Sequence, residues 1–154
     1  MLLFDAIRSN DLETVTSLLS QQPDLVKEKD MRGSTPLLLS TYYGYGDITE
    51  EILKHPQDID AKDASGNTAL MGVCFKGFLS IVQLLIDKGA NVNSTNYNGA
   101  TALIFAATFA KKDIVNVLLK HGADPKIKDD KGNTALMHAQ MQGTKEIIQI
   151  LENQ

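Results

Sequence analysis

The side chains best suited to chemistry in this chain are three histidines, one cysteine and a run of carboxylates. The histidines are His55, His121 and His138, the thiol is Cys74, and the carboxylates lie in Asp58-Ile59-Asp60-Ala61-Lys62-Asp63. Histidine can ligate a metal or relay a proton, a thiolate can attack a carbonyl or hold zinc, and clustered carboxylates can hold a hard cation. Spacing weighs against each of these uses. His55 and His121 occupy one position of a regular repeat, two units apart, which puts them roughly 20 Å from each other at about 10 Å per packed layer. His121 follows an apolar run and predicts a ring that caps its helix end, where the helix terminus is negative. His138 has Met141 and Gln142 as its helical neighbours, which supply neither carboxylate nor thiolate. Cys74 falls between Thr41 and Ala107 in a column of small residues, which predicts a buried, inert thiol. The acidic run sits in a loop whose counterparts are 91–96 and 124–129, so it reads as solvated loop charge. No Gly-x-Gly-x-x-Gly segment and no phosphate loop is present. The expectation is a protein that is not an enzyme and that holds no cofactor and no metal.

Composition narrows the remaining classes. The chain has 154 residues, 43% of them hydrophobic, which suits one domain with a continuous core. Net charge is −4; residues 1–77 carry 7 Lys/Arg against 12 Asp/Glu, and residues 78–154 carry 8 against 7. The nearest approach to a basic stripe is Lys111, Lys112, Lys120, Lys126, Lys128 and Lys131. Asp113, Asp124, Asp129 and Asp130 interrupt it, so no nucleic-acid partner is expected. One cysteine makes no internal disulfide, Asp5 breaks the N-terminal apolar run, and no stretch is long enough for a membrane span. The expectation is a cytoplasmic monomer with no membrane partner.

The elements that position these residues follow from a period of 33. Gly33, Gly66, Gly99 and Gly132 mark it, as do Thr35, Thr68, Thr101 and Thr134, then Leu37, Leu70, Leu103 and Leu136, then Ile48, Ile81, Ile114 and Ile147. One step back, Phe4 falls under Leu37 and Val15 under Ile48, so a degenerate unit opens the chain. Each later unit begins Asp/Asn-x-x-Gly-x-Thr. The Asp or Asn favours a turn, the glycine takes positive φ at low steric cost, and the threonine caps a helix. The first helix carries one large residue and then small ones, as in Leu70/Val73/Cys74/Gly77, so that neighbouring helices approach closely. Gly44, Gly77 and Gly143 stop it. The second helix is apolar nearly all round at its centre, as in Ile81-Val82-Gln83-Leu84-Leu85. Five units are expected, at about 1–29, 30–62, 63–95, 96–128 and 129–154. The first and last act as polar caps of one all-α stack.

The segments Gly66-Asn67-Thr68-Ala69-Leu70, Ile81-Val82-Gln83-Leu84-Leu85 and Lys88-Gly89-Ala90-Asn91-Val92-Asn93 resemble the ankyrin repeat, as does Leu118-Leu119-Lys120-His121-Gly122-Ala123-Asp124. The resemblance spans the chain. It implies an ankyrin-repeat solenoid of helix–turn–helix units with β-turn fingers, which binds proteins. One departure stands out. Where the family has Thr-Pro-Leu-His, this chain has Thr-Pro-Leu-Leu at 35–38, Thr-Ala-Leu-Met at 68–71, Thr-Ala-Leu-Ile at 101–104 and Thr-Ala-Leu-Met at 134–137. The family's histidine bridges neighbouring loops, so its absence predicts apolar contact in place of those bonds.

The residues left over by the core are aromatic. Tyr42 and Tyr43, Phe75 and Phe109 precede the ends of the first helices, on a stripe out of phase with the core. In the family these positions face a concave groove. The expected partner surface therefore has Tyr42, Tyr43, Phe75 and Phe109 at its centre and the finger residues Met31, Arg32, Tyr97 and Asn98 on its rim. Phe75 and Phe78 are divided evenly between groove and core. The leading reading of function is a non-catalytic scaffold that binds a partner protein through this face. The alternatives are an inhibitor or immunity-type protein that occludes an enzyme, and, from the resemblance alone, an accessory partner of a peroxide-defence enzyme such as catalase.

Overall fold

The computed structural model describes residues 2–154, and among them every regular element is helical. Ten α-helices form five antiparallel pairs: α1 Leu2–Arg8 with α2 Leu12–Gln21, α3 Pro36–Tyr43 with α4 Gly46–Leu53, α5 Ala69–Lys76 with α6 Leu79–Asp87, α7 Ala102–Thr108 with α8 Lys112–Lys120, and α9 Ala135–Gln142 with α10 Lys145–Glu152. A single 3₁₀ turn, Pro23–Lys27, follows α2. Odd-numbered helices stack on one another as an inner layer, even-numbered helices as an outer layer, and each pair closes the core between the layers. Helices of seven to ten residues are too short to be stable alone, so packing against neighbours holds them.

Local chemistry sets each pair. Thr35, Thr68, Thr101 and Thr134 cap their helices by accepting from the amides of Leu38, Met71, Ile104 and Met137 at 3.2–3.3 Å. The preceding finger is closed by its first residue. Asp63 Oδ1 accepts from the amides of Ser65 and Asn67, both at 2.9 Å, and Asp30, Asn96 and Asp129 repeat the arrangement. The finger glycines lie at φ +74° to +81°, as the spacing predicts. At Gly66 the need is steric as well, because a Cβ would stand 2.7 Å from the backbone nitrogen of Tyr97 in the next finger. The inner helices stop at Gly44, Gly77 and Gly143 in the left-handed conformation. Unit four has Ala110 at this place, and it is forced to φ +59°, which a side chain resists.

The core is one continuous cluster in which Ile7, Leu19, Ile48, Ile52, Leu70, Leu85, Leu103, Leu118 and Ile147 are fully buried. Leu38, Met71 and Ile104, which stand where the family has histidine, are buried, as expected, but Met137 at the same place in the last unit is exposed. The loops are nonetheless tied together by other groups. Asp60 accepts from the amide of Asn91 at 2.9 Å, and Asn93, one period on, accepts from the amide of Asp124 at 2.8 Å. Lys29 and Lys62 reach the carbonyls of Lys62 and Thr95, and the amide of Tyr97 donates to Ser65 O. The acidic run at 58–63 is therefore spent on loop geometry.

Candidate partner-binding groove

Between the fingers and the inner helices of units two to four lies an open groove of about 700 Å³. Its floor is apolar and comes from α3, α5 and α7: Leu39, Tyr42, Tyr43, Met71, Phe75, Phe105 and Phe109. Tyr42, Tyr43 and Phe75 lie in the last turn of α3 and α5, Phe105 lies within α7, and Phe109, expected just inside the end of its helix, is the residue that caps α7; all face away from α4, α6 and α8. That placement follows from helical phase, since the core takes Leu37, Leu70 and Leu103 and their i+3 and i+4 partners. Tyr42, Tyr43, Phe75 and Phe109 are each between two-fifths and one-half exposed. They hold one another in edge and stacked contacts. Phe75 and Phe109 meet edge to face at 4.7 Å, Tyr42 and Tyr43 at 6.1 Å, and Phe105 stacks on Phe109 at 6.4 Å. Lys76 places its ammonium 4.8 Å from the centre of the Tyr42 ring.

The four central residues named from the sequence thus line one groove. The four finger residues divide. Arg32 lines the groove, while Met31, Tyr97 and Asn98 are exposed on the fingers outside its lining. Phe75 lies in the groove. Phe78 packs on the core and covers Gly44, where a Cβ would meet its ring at 2.9 Å. Tyr45 packs on the core as well and stacks on Tyr43 at 5.5 Å.

Arg8, Asp63 and Gly72 are among the lining residues that were not singled out from the sequence as groove residues. Arg8 reaches forward from the first unit to Asp30 Oδ2 at 3.3 Å, closing one end of the groove. No local pattern announces a contact across 22 positions. Gly72 carries a readable signal, a glycine in the middle of a helix in the column of Leu39 and Phe105.

His121, Cys74 and His138, suited to chemistry by type, are taken up by structural contacts. His121 Nδ1 lies 2.9 Å from Val117 O at the end of α8, the capping role its position predicts. Cys74 is fully buried, and burial pushes its thiol far up from the ordinary range, which keeps it protonated. His138 does find a carboxylate, from the finger rather than its own helix: Nε2 stands 2.7 Å from Asp129 Oδ2. Burial works to raise the Asp129 carboxyl, but the amides of Asn133 and Lys131 and the His138 ring outweigh it and hold the group below its usual value. His55 Nε2 is buried without a hydrogen-bond partner among the described residues, 3.8 Å from Glu51 Oε1. Among the described residues no three His, Cys, Asp or Glu side chains come together as a metal site, and no helix is long and apolar enough to cross a membrane.

Paired helices stacked in two layers, fingers closed by Asp-x-x-Gly turns, and an exposed aromatic floor define a helical-repeat solenoid. The family model of ankyrin repeats matches the chain in three overlapping copies, at residues 3–96, 38–129 and 74–154, and the chain belongs to the ankyrin-repeat family. That family is generally one of non-catalytic modules for protein–protein interaction. No curated protein matches the chain.

Proposed function

We propose that this chain is a non-catalytic module that binds a partner protein through the groove of units two to four, with Tyr42, Tyr43, Phe75 and Phe109 as its centre. One observation carries the reading. Four large rings gather on a single open face of the inner helices, although the core is closed without them. Exposed apolar surface of this kind favours self-association, and a contiguous patch of it marks an interaction site. Aromatic side chains dominate binding hot spots because they bury much area at little entropic cost. The stacked helices fix the rings before any partner arrives, so little ordering is needed on binding. Arg32, Tyr97, Asn98 and Met31 stand around this centre on the fingers, where charged groups chiefly set the rate of encounter.

A photo-crosslinking amino acid at Tyr42 or Phe109 tests this, with Ser80 on the exposed side of α6 as the control position. Extract from the source cell should yield a protein adduct from the two groove positions and not from Ser80. With that protein purified, Tyr42→Ala and Phe109→Ala should each weaken binding by about 1–3 kcal/mol. Equal crosslinking from Ser80, or unchanged affinity in both variants, sinks the proposal.

A further inference from the structure

The groove floor has a gap in it. Leu39, Gly72 and Phe105 stand in one column of the repeat, so α3 and α7 each supply a large side chain where α5 supplies none. Glycine is, proline apart, the poorest helix former, and Gly72 lies in mid-helix with its amide donating to Thr68 O. Nothing nearby demands it. A Cβ at Gly72 would meet no atom within 4 Å, whereas one at Gly66 would strike the neighbouring finger. Its φ is not in the left-handed region either. The missing side chain leaves a notch in the floor between Leu39 and Phe105, one turn from Phe75, with apolar side chains on either side.

Two unpaired charges line the same groove. In units two and five the outer carboxylate oxygen of the first finger residue is used: Asp30 Oδ2 by Arg8 and Asp129 Oδ2 by His138. Asp63 lines the groove and holds its turn with Oδ1, but Oδ2 has no partner among the described residues. Arg32, on the preceding finger, is exposed and makes no ion pair among them. The groove therefore offers a cation and then an anion along the stack, with an apolar notch in its floor.

We propose that the occupant is an extended partner segment that sets one large apolar side chain, Leu, Met or Phe, above Gly72. The segment carries an acidic residue on the Arg32 side and a basic residue on the Asp63 side. Successive layers stand about 10 Å apart, and an extended chain rises about 3.3 Å per residue, so the two charges lie about three residues apart. The opposite charges fix the direction of the segment, and the notch fixes its register. This inference rests on the groove reading of the preceding subsection and sharpens it.

The test is a selection of randomised displayed peptides on the full chain. Enriched peptides should share a large apolar residue with an acid and a base about three positions apart. Gly72→Leu fills the notch with the side chain that α3 already carries at Leu39. It should weaken the selected peptides by about ten-fold or more while leaving the melting temperature no lower. Asp63→Asn keeps the turn, as Asn96 does in unit four, and should abolish selection for the base; Arg32→Ser, the residue at the matching Ser65, should abolish selection for the acid. Failure to enrich this pattern overturns the proposal, as does wild-type affinity in Gly72→Leu. Peptides that bind Gly72→Leu normally but fail on Tyr42→Ala overturn the notch and leave the groove standing. Peptides indifferent to both variants remove both.

Discussion

The two faces of the inner helices obey different rules. Toward the outer layer α5 presents Leu70, Val73 and Cys74, none more than 1% exposed; toward the groove it presents Gly72 and Phe75, the latter 41% exposed. The first face keeps its leucine in every unit, Leu37, Leu70, Leu103 and Leu136, and holds small or medium side chains beside it in units two to four. The second keeps no residue, running Leu39, Gly72, Phe105, His138. Close packing explains the first pattern, since each layer meets the same neighbours and tolerates the same volumes. No packing rule constrains the second. What varies there is free to answer to something outside the chain, and that is why the groove rather than the core carries the functional reading.

The sharpest way to break this comparison is to truncate one residue on each face. Leu103→Ala removes a side chain that is 1% exposed and should cost about 2–5 kcal/mol, because the cavity cannot collapse within a stacked layer. Tyr42→Ala removes a ring that is about half exposed and should change stability by less than about 0.5 kcal/mol. Urea titrations of both variants decide it, and similar midpoints would mean that the groove rings belong to the core.

A smaller effect separates the finger turns. Gly66 and Gly132 lie at φ +81° and +79°, so alanine at either should cost about 1–2 kcal/mol from backbone strain. At Gly132 a Cβ meets nothing within 4 Å, but at Gly66 it meets the Tyr97 backbone. Gly66→Ala should therefore melt lower than Gly132→Ala, and the same melting temperature for both would show that the fingers are not in register-dependent contact. The smallest effect has the opposite sign. Ala110→Gly relieves a side chain held at φ +59° and should stabilise by about 0.5–1 kcal/mol after glycine's greater unfolded-state entropy is allowed for. A midpoint that falls would mean that Ala110 contributes packing that outweighs its strain.

Much of this molecule was legible before folding. The Asp-x-x-Gly-x-Thr segments are written in interactions of four residues or fewer: an Asx turn, a left-handed glycine and a threonine cap. His121 was equally readable, because its partner Val117 is one turn away. Tyr42, Tyr43, Phe75 and Phe109 could be placed on one face because helical phase is local too. The finger residues were harder. Arg32 lines the groove while Met31 beside it does not, and a turn of five residues gives no period by which to separate them. His138 looked unpartnered from its helix because its carboxylate comes from nine positions upstream, through the fold of the finger.

The sequence by itself determined the period, the start and stop of each helix and the faces that must be apolar, because hydrogen bonds and steric limits between near neighbours settle them. Only the tertiary structure decided which groups meet across units: Arg8 with Asp30, Asp60 with the Asn91 amide, Phe78 over Gly44. It also decided which apolar residues stay open. Met71 and Met137 hold the same place in their units, yet the first is 1% exposed and the second 40%, because a following helix covers one and not the other. Burial is a property of what packs against a side chain. A repeating sequence specifies the same local geometry in every unit, but the neighbours that close a core or leave a notch exist only once the units are stacked.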